Sequence, residues 1–257
     1  MMNILPSGSP PAMFGPLHIL FLLILFPASF YTGRKISRLS YTHFCQTLFC
    51  AGILFACMEC WKQIHVYTVT EGGRFSWWWF PFQLCSMPMY LCLLLPLVKR
   101  KNTVFAFLST YALIAAVCAL LYPQDMLRSD PALTLHGFLW HGIILAISFS
   151  VILSSSFSVT REDLLRAAGL FLFLCGISVI LNIYGYYQTP AGGIYPNLFY
   201  ISPMLPSRQP VFSIIAEHWG IIPADIVYIL SLILASALTA VLQKRCLKSS
   251  QASPDPD

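Results

Sequence analysis

The stretch WWWFPFQLCSMPMYLCLLLPLV, residues 77–98, decides the fold class of this chain. It runs for 22 residues without a charged side chain. Because the hydrocarbon core of a bilayer is about 30 Å thick and a helix rises about 1.5 Å per residue, about 20 such residues are needed to cross it. The stretch is therefore long enough to span a membrane, although Gln83, Cys85 and Pro88 interrupt it with groups that a lipid-facing helix does not need.

The composition of the whole chain indicates the same class. Of its 257 residues, 57% are hydrophobic and 10% are charged, and the mean hydropathy is +0.71. That composition leaves too little polar surface to cover a soluble globule of this size. The net charge of +5 does not indicate nucleic-acid binding, because the basic residues lie in short groups between apolar runs rather than on one face. The chain is predicted to be an integral membrane protein that binds no nucleic acid.

Six further apolar runs of similar length accompany residues 77–98. The seven predicted spans are residues 14–32, 43–61, 77–98, 103–122, 133–153, 164–184 and 223–242. Eleven of the fifteen Lys and Arg residues fall in one set of alternate loops, and four fall in the other. Since cytoplasmic loops are enriched in Lys and Arg, this split predicts an outside N-terminus and an inside C-terminus. The predicted fold is an all-α, polytopic bundle of seven transmembrane helices.

The same runs predict the domain organisation. Residues 1–247 form one transmembrane domain, and the polar, proline-bearing residues 248–257 are predicted to be disordered. The connection between the sixth and seventh spans, residues 185–222, is long and rich in Tyr, Pro and Gly. Connections longer than about 15 residues are usually functional or disordered, and the aromatic content argues against disorder. This outer loop is predicted to pack on the bundle or, alternatively, to act as an aromatic anchor in the interface.

Five polar or reactive side chains are predicted to lie in the outer third of the membrane, when depth is counted by helical rise from the span ends. They are His18, Glu59, Cys85, His141 and Asn182. Polar groups inside a bilayer usually face the bundle interior and mark functional sites, because exposing them to lipid is costly. Each also has a structural alternative, since a buried Cys behaves as a small hydrophobe and a His can simply hydrogen-bond to a neighbouring helix. None of them has the spacing of a metal site, so neither a metal nor a cofactor is predicted.

Four motifs resemble, in their order and spacing, landmarks of the YwaF-like integral membrane proteins. They are FQLCSMPMYLCLLLP, LLYPQDM, GFLWHGIILAI and LNIYGYYQTPAGGIYPNLFYISP. That family is related to an animal transmembrane acyltransferase that remodels ether phospholipids, and the resemblance implies catalytic roles for Cys85 and His141. Bacterial relatives often carry a histidine two residues before this cysteine. This chain has Gln83 there, which can form hydrogen bonds but cannot act as a base.

The chemistry of these residue types is compatible with that function. A thiol becomes a nucleophile when a partner such as imidazole takes its proton, and a thioester divides acyl transfer into two easier steps. We therefore predict a lipid acyltransferase or transacylase with Cys85 as nucleophile and His141 as general base. The residues predicted to support them or to stabilise the oxyanion are Gln83, Asn182, His18 and Glu59, besides backbone N–H groups. The predicted partners are phospholipid or lysophospholipid, in a bacterial cytoplasmic membrane.

Two other classes of function remain open from the sequence. A non-catalytic carrier or small-ligand-binding protein would use the same outer polar residues to line a cavity, although no inverted repeat typical of secondary transporters is detectable. An accessory subunit would use them only to specify helix packing. Replacement of Cys85 by Ser distinguishes the classes, because a carrier retains its function whereas cysteine catalysis largely fails.

Overall fold

The computed structural model describes residues 9–252, and the side chains of residues 9–243. Within that range the regular structure is helical and no β-strand occurs. The prediction of an all-α membrane bundle is thus confirmed. The helices are α1 (Pro16–Ser37), α2 (Tyr41–His65), α3 (Met87–Leu94), α4 (Lys101–Phe107), α5 (Leu113–Leu121), α6 (Pro131–Leu153), α7 (Arg161–Gln188), α8 (Pro210–Trp219) and α9 (Ile221–Ala252).

Among the described residues, six helical segments are long and apolar enough to cross a membrane. α2 is extended by a π-helical turn, Val66–Thr70, and a second π-helical turn, Leu108–Ala112, joins α4 and α5 into one segment. The six segments are Pro16–Ser37, Tyr41–Thr70, Lys101–Leu121, Pro131–Leu153, Arg161–Gln188 and Ile221–Gln243. Each overlaps one of the predicted apolar runs, so the chain is a multi-pass integral membrane protein.

The remaining apolar run, residues 77–98, is not the single long helix that its length predicts. It begins with non-helical chain and short 3₁₀ turns, and its apolar helical part, Leu84–Leu94, is too short to cross a membrane alone. Proline explains the interruption, because a residue that precedes proline is disfavoured in the helical conformation. Phe80 before Pro81 is accordingly extended, with ψ 131°. Cys85 therefore lies on a 3₁₀ turn just before α3, so a depth counted by helical rise does not apply to it.

The helix termini group at the two ends of the bundle. At one end, Tyr41 at the start of α2 packs on Phe105 of α4, with ring centroids 6.5 Å apart. At the other end, the His65 ring at the end of α2 lies 2.6 Å from the carboxylate of Asp130, which caps the start of α6. We call this second end the site end, because the candidate site lies there.

The connection predicted at residues 185–222 is shorter and more helical than expected. α7 continues through Gln188, and α8 occupies much of the remaining connection. α8 packs on α9 through Phe212 and Tyr228, whose ring centroids are 4.9 Å apart. The irregular part is thus residues 189–209, and it contains one 3₁₀ turn over Leu198–Tyr200.

The C-terminal end also differs from its prediction. α9 continues to Ala252, so residues 248–252 of the predicted disordered tail are helical. α9 continues past the end of the apolar run at residue 242, because the Gln, Lys and Arg residues that follow are good helix formers. Residues 253–257, the rest of that predicted tail, lie outside the described residues.

Candidate functional site

A cavity of ≈ 450 Å³ lies at the site end, where α2, α5, α6 and α9 meet the non-helical segments between them. Four of the six residues predicted for the site line this cavity: Glu59, Gln83, Cys85 and His141. Apart from tryptophans, the lining residues with polar or thiol side chains are Glu59, Lys62, Gln83, Cys85, Ser86, Cys118, Tyr122, Gln124, Asp125, Arg128, His136, His141, Tyr200, Gln209, Tyr228 and Ser231. The cavity therefore combines charged, polar and apolar walls inside a membrane bundle.

Cys85 lies at the cavity wall on the 3₁₀ turn Leu84–Ser86. Its backbone carbonyl accepts a hydrogen bond of 2.9 Å from the indole Nε1–H of Trp140, which ties the turn to α6. The residues on either side, Leu84 and Ser86, are buried, whereas Cys85 is only half-buried. The chain thus fixes the backbone of Cys85 and leaves part of this residue accessible from the cavity.

His141 follows Trp140 on α6 and lines the same cavity. Its Nδ1 lies 2.7 Å from the carbonyl oxygen of Gly137, one turn earlier in the helix. A carbonyl oxygen can only accept, so Nδ1 carries the proton and Nε2 carries a lone pair in the neutral ring. Nε2 is buried and has no hydrogen-bond partner among the described residues. This tautomer leaves Nε2 free to accept a proton, as a general base must.

Glu59 lies in an ion pair at the cavity wall. The Lys62 ammonium is 2.9 Å from Glu59 Oε1, and the Gln63 side-chain amide donates to the same oxygen at 2.6 Å. The Gln63 amide also donates to the backbone carbonyl of Trp79 at 2.7 Å. Lys62 therefore balances the charge of Glu59, and Gln63 links Glu59 to the segment that precedes Cys85.

Asp125 and Arg128, which carry opposite charges, also line the cavity. The Tyr200 hydroxyl donates to Asp125 Oδ2 at 2.7 Å, and Arg128 Nε donates to the backbone carbonyl of Asp125 at 3.0 Å. The Arg128 guanidinium also stacks 4.3 Å above the ring of Trp79. Burial first, and then the charge of Asp125 and its hydrogen bond, hold the pKa of Tyr200 well above its ordinary value, so the hydroxyl remains a neutral donor.

Gln83 fixes the irregular connection rather than leaving its amide free. Its Oε1 accepts from the backbone N–H of Phe199 at 2.8 Å, and its Nε2 donates to the carbonyl of Asn197 at 3.2 Å. Phe199 and Tyr200 both have positive φ, 57° and 58°, which is uncommon for residues other than glycine. Contacts such as those of Gln83 hold this costly conformation, and it places Tyr200 at the cavity wall.

Asn182 and His18 do not line the cavity. Asn182 on α7 is fully buried and makes two hydrogen bonds to Leu198, accepting from its N–H at 2.7 Å and donating to its carbonyl at 3.0 Å. The His18 ring bonds through Nε2 to the carbonyl of Leu120 at 2.8 Å, and its Nδ1 accepts from the backbone N–H of Phe14 at 3.0 Å. Asn182 thus supports the connection over residues 189–209, and His18 ties the start of α1 to α5.

Several cavity residues were absent from the sequence prediction: Lys62, Asp125, Arg128, His136 and Tyr200. His136 on α6 stacks between Trp61 and Trp140, with its ring centroid 5.6 Å from each of theirs. Asp125 lies in the LLYPQDM motif, so the motif was a usable signal for that residue. The others come from loop or helix-end positions that only the folded chain brings together.

The helical bundle and its partly polar internal cavity define a polytopic integral membrane protein. A family model described as the TMEM164 family matches residues 13–242, which is most of the chain. The chain belongs to the TMEM164 family. No curated protein and no solved structure matches it.

Proposed function

We propose that this protein is a membrane-embedded lipid acyltransferase or transacylase in which Cys85 is the nucleophile and His141 the general base. The observation that carries the proposal is one cavity lined by both residues, in which His141 Nε2 accepts no hydrogen bond from any described residue. The charged groups at the same wall suit a phospholipid headgroup, and the apolar walls suit its acyl chains.

The reaction proceeds through a thioester. In the first step the Cys85 sulfur attacks the carbonyl carbon of a phospholipid ester while the thiol proton moves to His141 Nε2. The tetrahedral intermediate collapses, the ester C–O bond breaks, and the imidazolium gives its proton to the departing lysophospholipid oxygen. In the second step the hydroxyl of an acceptor lysophospholipid gives its proton to His141 Nε2 and attacks the thioester. The thiolate then leaves and takes back that proton.

Backbone N–H groups are the proposed oxyanion donors. Both polar ends of the Gln83 and Asn182 amides bind the connection over residues 189–209, so neither amide is free to turn toward a developing oxyanion. The first N–H groups of a helical turn have no carbonyl partner within that turn. The turn Leu84–Ser86 presents such groups beside the Cys85 thiol, and a preorganised donor of this kind lowers the barrier to acyl transfer.

We further propose seven membrane crossings, with the site end outside. Gln63 near the end of α2 donates to Trp79, whereas α4 starts at the opposite end, where Tyr41 contacts Phe105. A chain that leaves one end at residue 79 and reaches the other by residue 101 supports a crossing by the broken segment. The distribution of Lys and Arg supports the orientation. The orientation would be contradicted by activity of a C-terminal reporter of the kind that works only on the extracytoplasmic side.

The same proposal covers the setting of the protein. Residues 1–247 act as one unit in a bacterial cytoplasmic membrane, and phospholipid and lysophospholipid are the substrates. A site that faces outward favours a phospholipid rather than cytoplasmic acyl-CoA as acyl donor. The relation to YwaF-like proteins and to an ether-lipid acyltransferase remains a prediction from the sequence motifs.

Acyl transfer in lipid nanodiscs tests the proposal. The purified protein receives a labelled donor phospholipid and an acceptor lysophospholipid, and label in the newly acylated acceptor is measured. Cys85→Ala is expected to abolish transfer, and His141→Ala to slow it about 100-fold or more, because a positioned general base contributes about that much. Cys57→Ala, on the exposed side of α2, is the matched control and should leave the rate unchanged.

A carrier for a zwitterionic ligand is the second candidate. It is favoured by the charges of both signs at the cavity wall, where Glu59 pairs with Lys62 and where Asp125 and Arg128 also lie. A carrier binds its ligand without a covalent step, so Cys85→Ser should preserve its activity. Full transfer of label into the acceptor by Cys85→Ser would remove Cys85 as the nucleophile, and ligand movement by that variant without acyl transfer would support the carrier.

A further inference from the structure

Two helix faces form an apolar extension of the cavity. α5 contributes Ile114, Ala115 and Cys118, which recur at helical spacing on one face. α9 contributes Tyr228, Ser231, Leu232 and Ala235, which also recur at helical spacing, and the Ser231 hydroxyl donates to the Tyr228 carbonyl of its own helix. We call this space between α5 and α9 the apolar limb.

The apolar limb leads away from the charged wall into the bundle. Counted from the start of α9 at the site end, Ala235 lies 14 residues along the helix, or about 21 Å. Ile114 lies 7 residues from the end of α5, or about 10 Å. The charged wall, with Asp125 and Arg128, lies beyond those helix ends in the connection to α6. The cavity thus has a charged mouth and a long apolar interior.

Cys118 shows that the limb is open space rather than packed core. Its neighbours Ala116 and Leu120 on α5 are fully buried, whereas Cys118 lines the cavity and is exposed. The smallest side chains along the two faces are alanines; Ala119 lies near the end of α5, and Ala115 and Ala235 lie further in, where they leave room at the deep end of the limb. An apolar space of this shape suits a flexible hydrocarbon chain better than a polar solute, because a polar solute would lose its hydrogen bonds there.

We propose that the apolar limb binds one fatty acyl chain of the lipid substrate and that Ala115 and Ala235 set the chain length it accepts. This assignment rests on the proposed function for the identity of the lipid, but the binding itself needs no catalysis. With the headgroup at the charged wall, the ester lies near Cys85 and the chain runs between α5 and α9. A bulky side chain at either alanine shortens the limb.

Selectivity between donor chains is the first test. Ala235→Trp should lower the preference for palmitoyl over hexanoyl donors about tenfold or more, since loss of room for even one methylene is worth about that much. Leu234→Trp is the matched control, because Leu234 is the neighbouring α9 residue and is 71% exposed on the outer face of the helix. An unchanged preference in a folded, active Ala235→Trp variant overturns the proposal. Ala235→Leu is the milder substitution if the Trp variant does not fold.

Protection of Cys118 is the second test and is independent of acyl transfer. In a Cys85→Ala background, palmitoyl lysophosphatidylcholine at about ten times its dissociation constant should slow labelling of Cys118 by N-ethylmaleimide about tenfold. Labelling of exposed Cys57 serves as the internal control. Hexanoyl lysophosphatidylcholine is the short-chain comparison. Equal protection of Cys118 by the hexanoyl and palmitoyl compounds, or no protection by the palmitoyl compound, overturns the proposal. Protection of Cys118, together with a parent protein that transfers no acyl group, supports the limb and defeats only the proposed function.

Discussion

The hydrogen bonds between Asn182 and Leu198 are expected to hold the connection over residues 189–209 in place beside the site. Asn182 is fully buried and supplies both an acceptor to the Leu198 N–H and a donor to the Leu198 carbonyl. The same carbonyl also accepts from the Ser178 hydroxyl at 2.8 Å. Asn182→Ala therefore leaves the carbonyl with a partner but leaves the buried N–H without one.

The magnitude follows from that difference. A buried backbone donor without a partner costs about 1–3 kcal/mol, and a value of about 2 kcal/mol corresponds to a change of about 30-fold in an opening equilibrium. Ser178→Ala removes one of two side-chain donors to the Leu198 carbonyl and leaves the Leu198 N–H satisfied. Its cost should be about 1 kcal/mol or less, or about fivefold. The two variants thus separate an unsatisfied donor from a general loss of polar contact.

Hydrogen exchange read by mass spectrometry on the protein in nanodiscs measures this opening. Amides in residues 195–203 should exchange about 30-fold faster in Asn182→Ala and about fivefold faster in Ser178→Ala, because local opening limits their exchange. Peptides from α1 and α6 should not change. Exchange in Asn182→Ala within twofold of the parent, or equal to that in Ser178→Ala, would refute the view that this amide holds the connection in place.

Three further changes test other contacts of the fold and site. Burial would raise the pKa of Asp130, but its hydrogen bonds with His65 and with backbone N–H groups outweigh that effect and lower the pKa. The Asp130 carboxylate therefore stabilises the fold above about pH 4, and this contribution is lost as the pH falls below that value. Asp130→Asn should flatten the dependence of thermal stability on pH in that acid range, and an unaltered dependence contradicts the assignment. Gly52→Leu should destabilise the fold by about 1–3 kcal/mol, because a Cβ at that position would lie 2.7 Å from the backbone of α3. Thermal unfolding measures this cost, with Gly176→Leu as the control because nothing lies within 4 Å of a Cβ there. Tyr200→Phe removes the hydrogen bond to Asp125 and should lower transfer efficiency about tenfold, for a loss of about 1.5 kcal/mol, and parent-like kinetics would exclude a role for that bond.

The long helices were predictable because membrane crossing imposes a simple rule on the sequence. A backbone in lipid must satisfy its own hydrogen bonds, so an apolar run of sufficient length becomes a helix. The run over residues 77–98 breaks this rule at its first proline, because Pro81 has no N–H to donate and Phe80 before it is extended, whereas the residues before the two later prolines stay helical. The sequence shows those prolines, but whether they kink a helix or replace it with turns depends on the partners that the freed backbone finds. Trp140, which binds the Cys85 carbonyl, is such a partner.

The candidate site was predictable in part for a related reason. Glu59, Cys85 and His141 stand out because polar groups are costly in an apolar segment, and all three line the cavity. Polar residues near helix ends carry no such signal, since solvent explains them equally well. Asp125 and Tyr200 are 75 positions apart, and only the folded connection brings them to a hydrogen bond. Asn182 shows the converse, because its burial reflects a bond to the chain rather than to a substrate.

Detection of an acyl group on Cys85 tests the central claim most directly. The parent protein and the His141→Ala variant are incubated with donor phospholipid in the absence of acceptor, digested, and mapped by mass spectrometry. The proposed mechanism predicts a hydroxylamine-sensitive acyl adduct on Cys85 in the parent, formed about 100-fold more slowly in a folded His141→Ala variant. Acyl transfer that persists in Cys85→Ala, or an adduct that forms equally fast without His141, would contradict it.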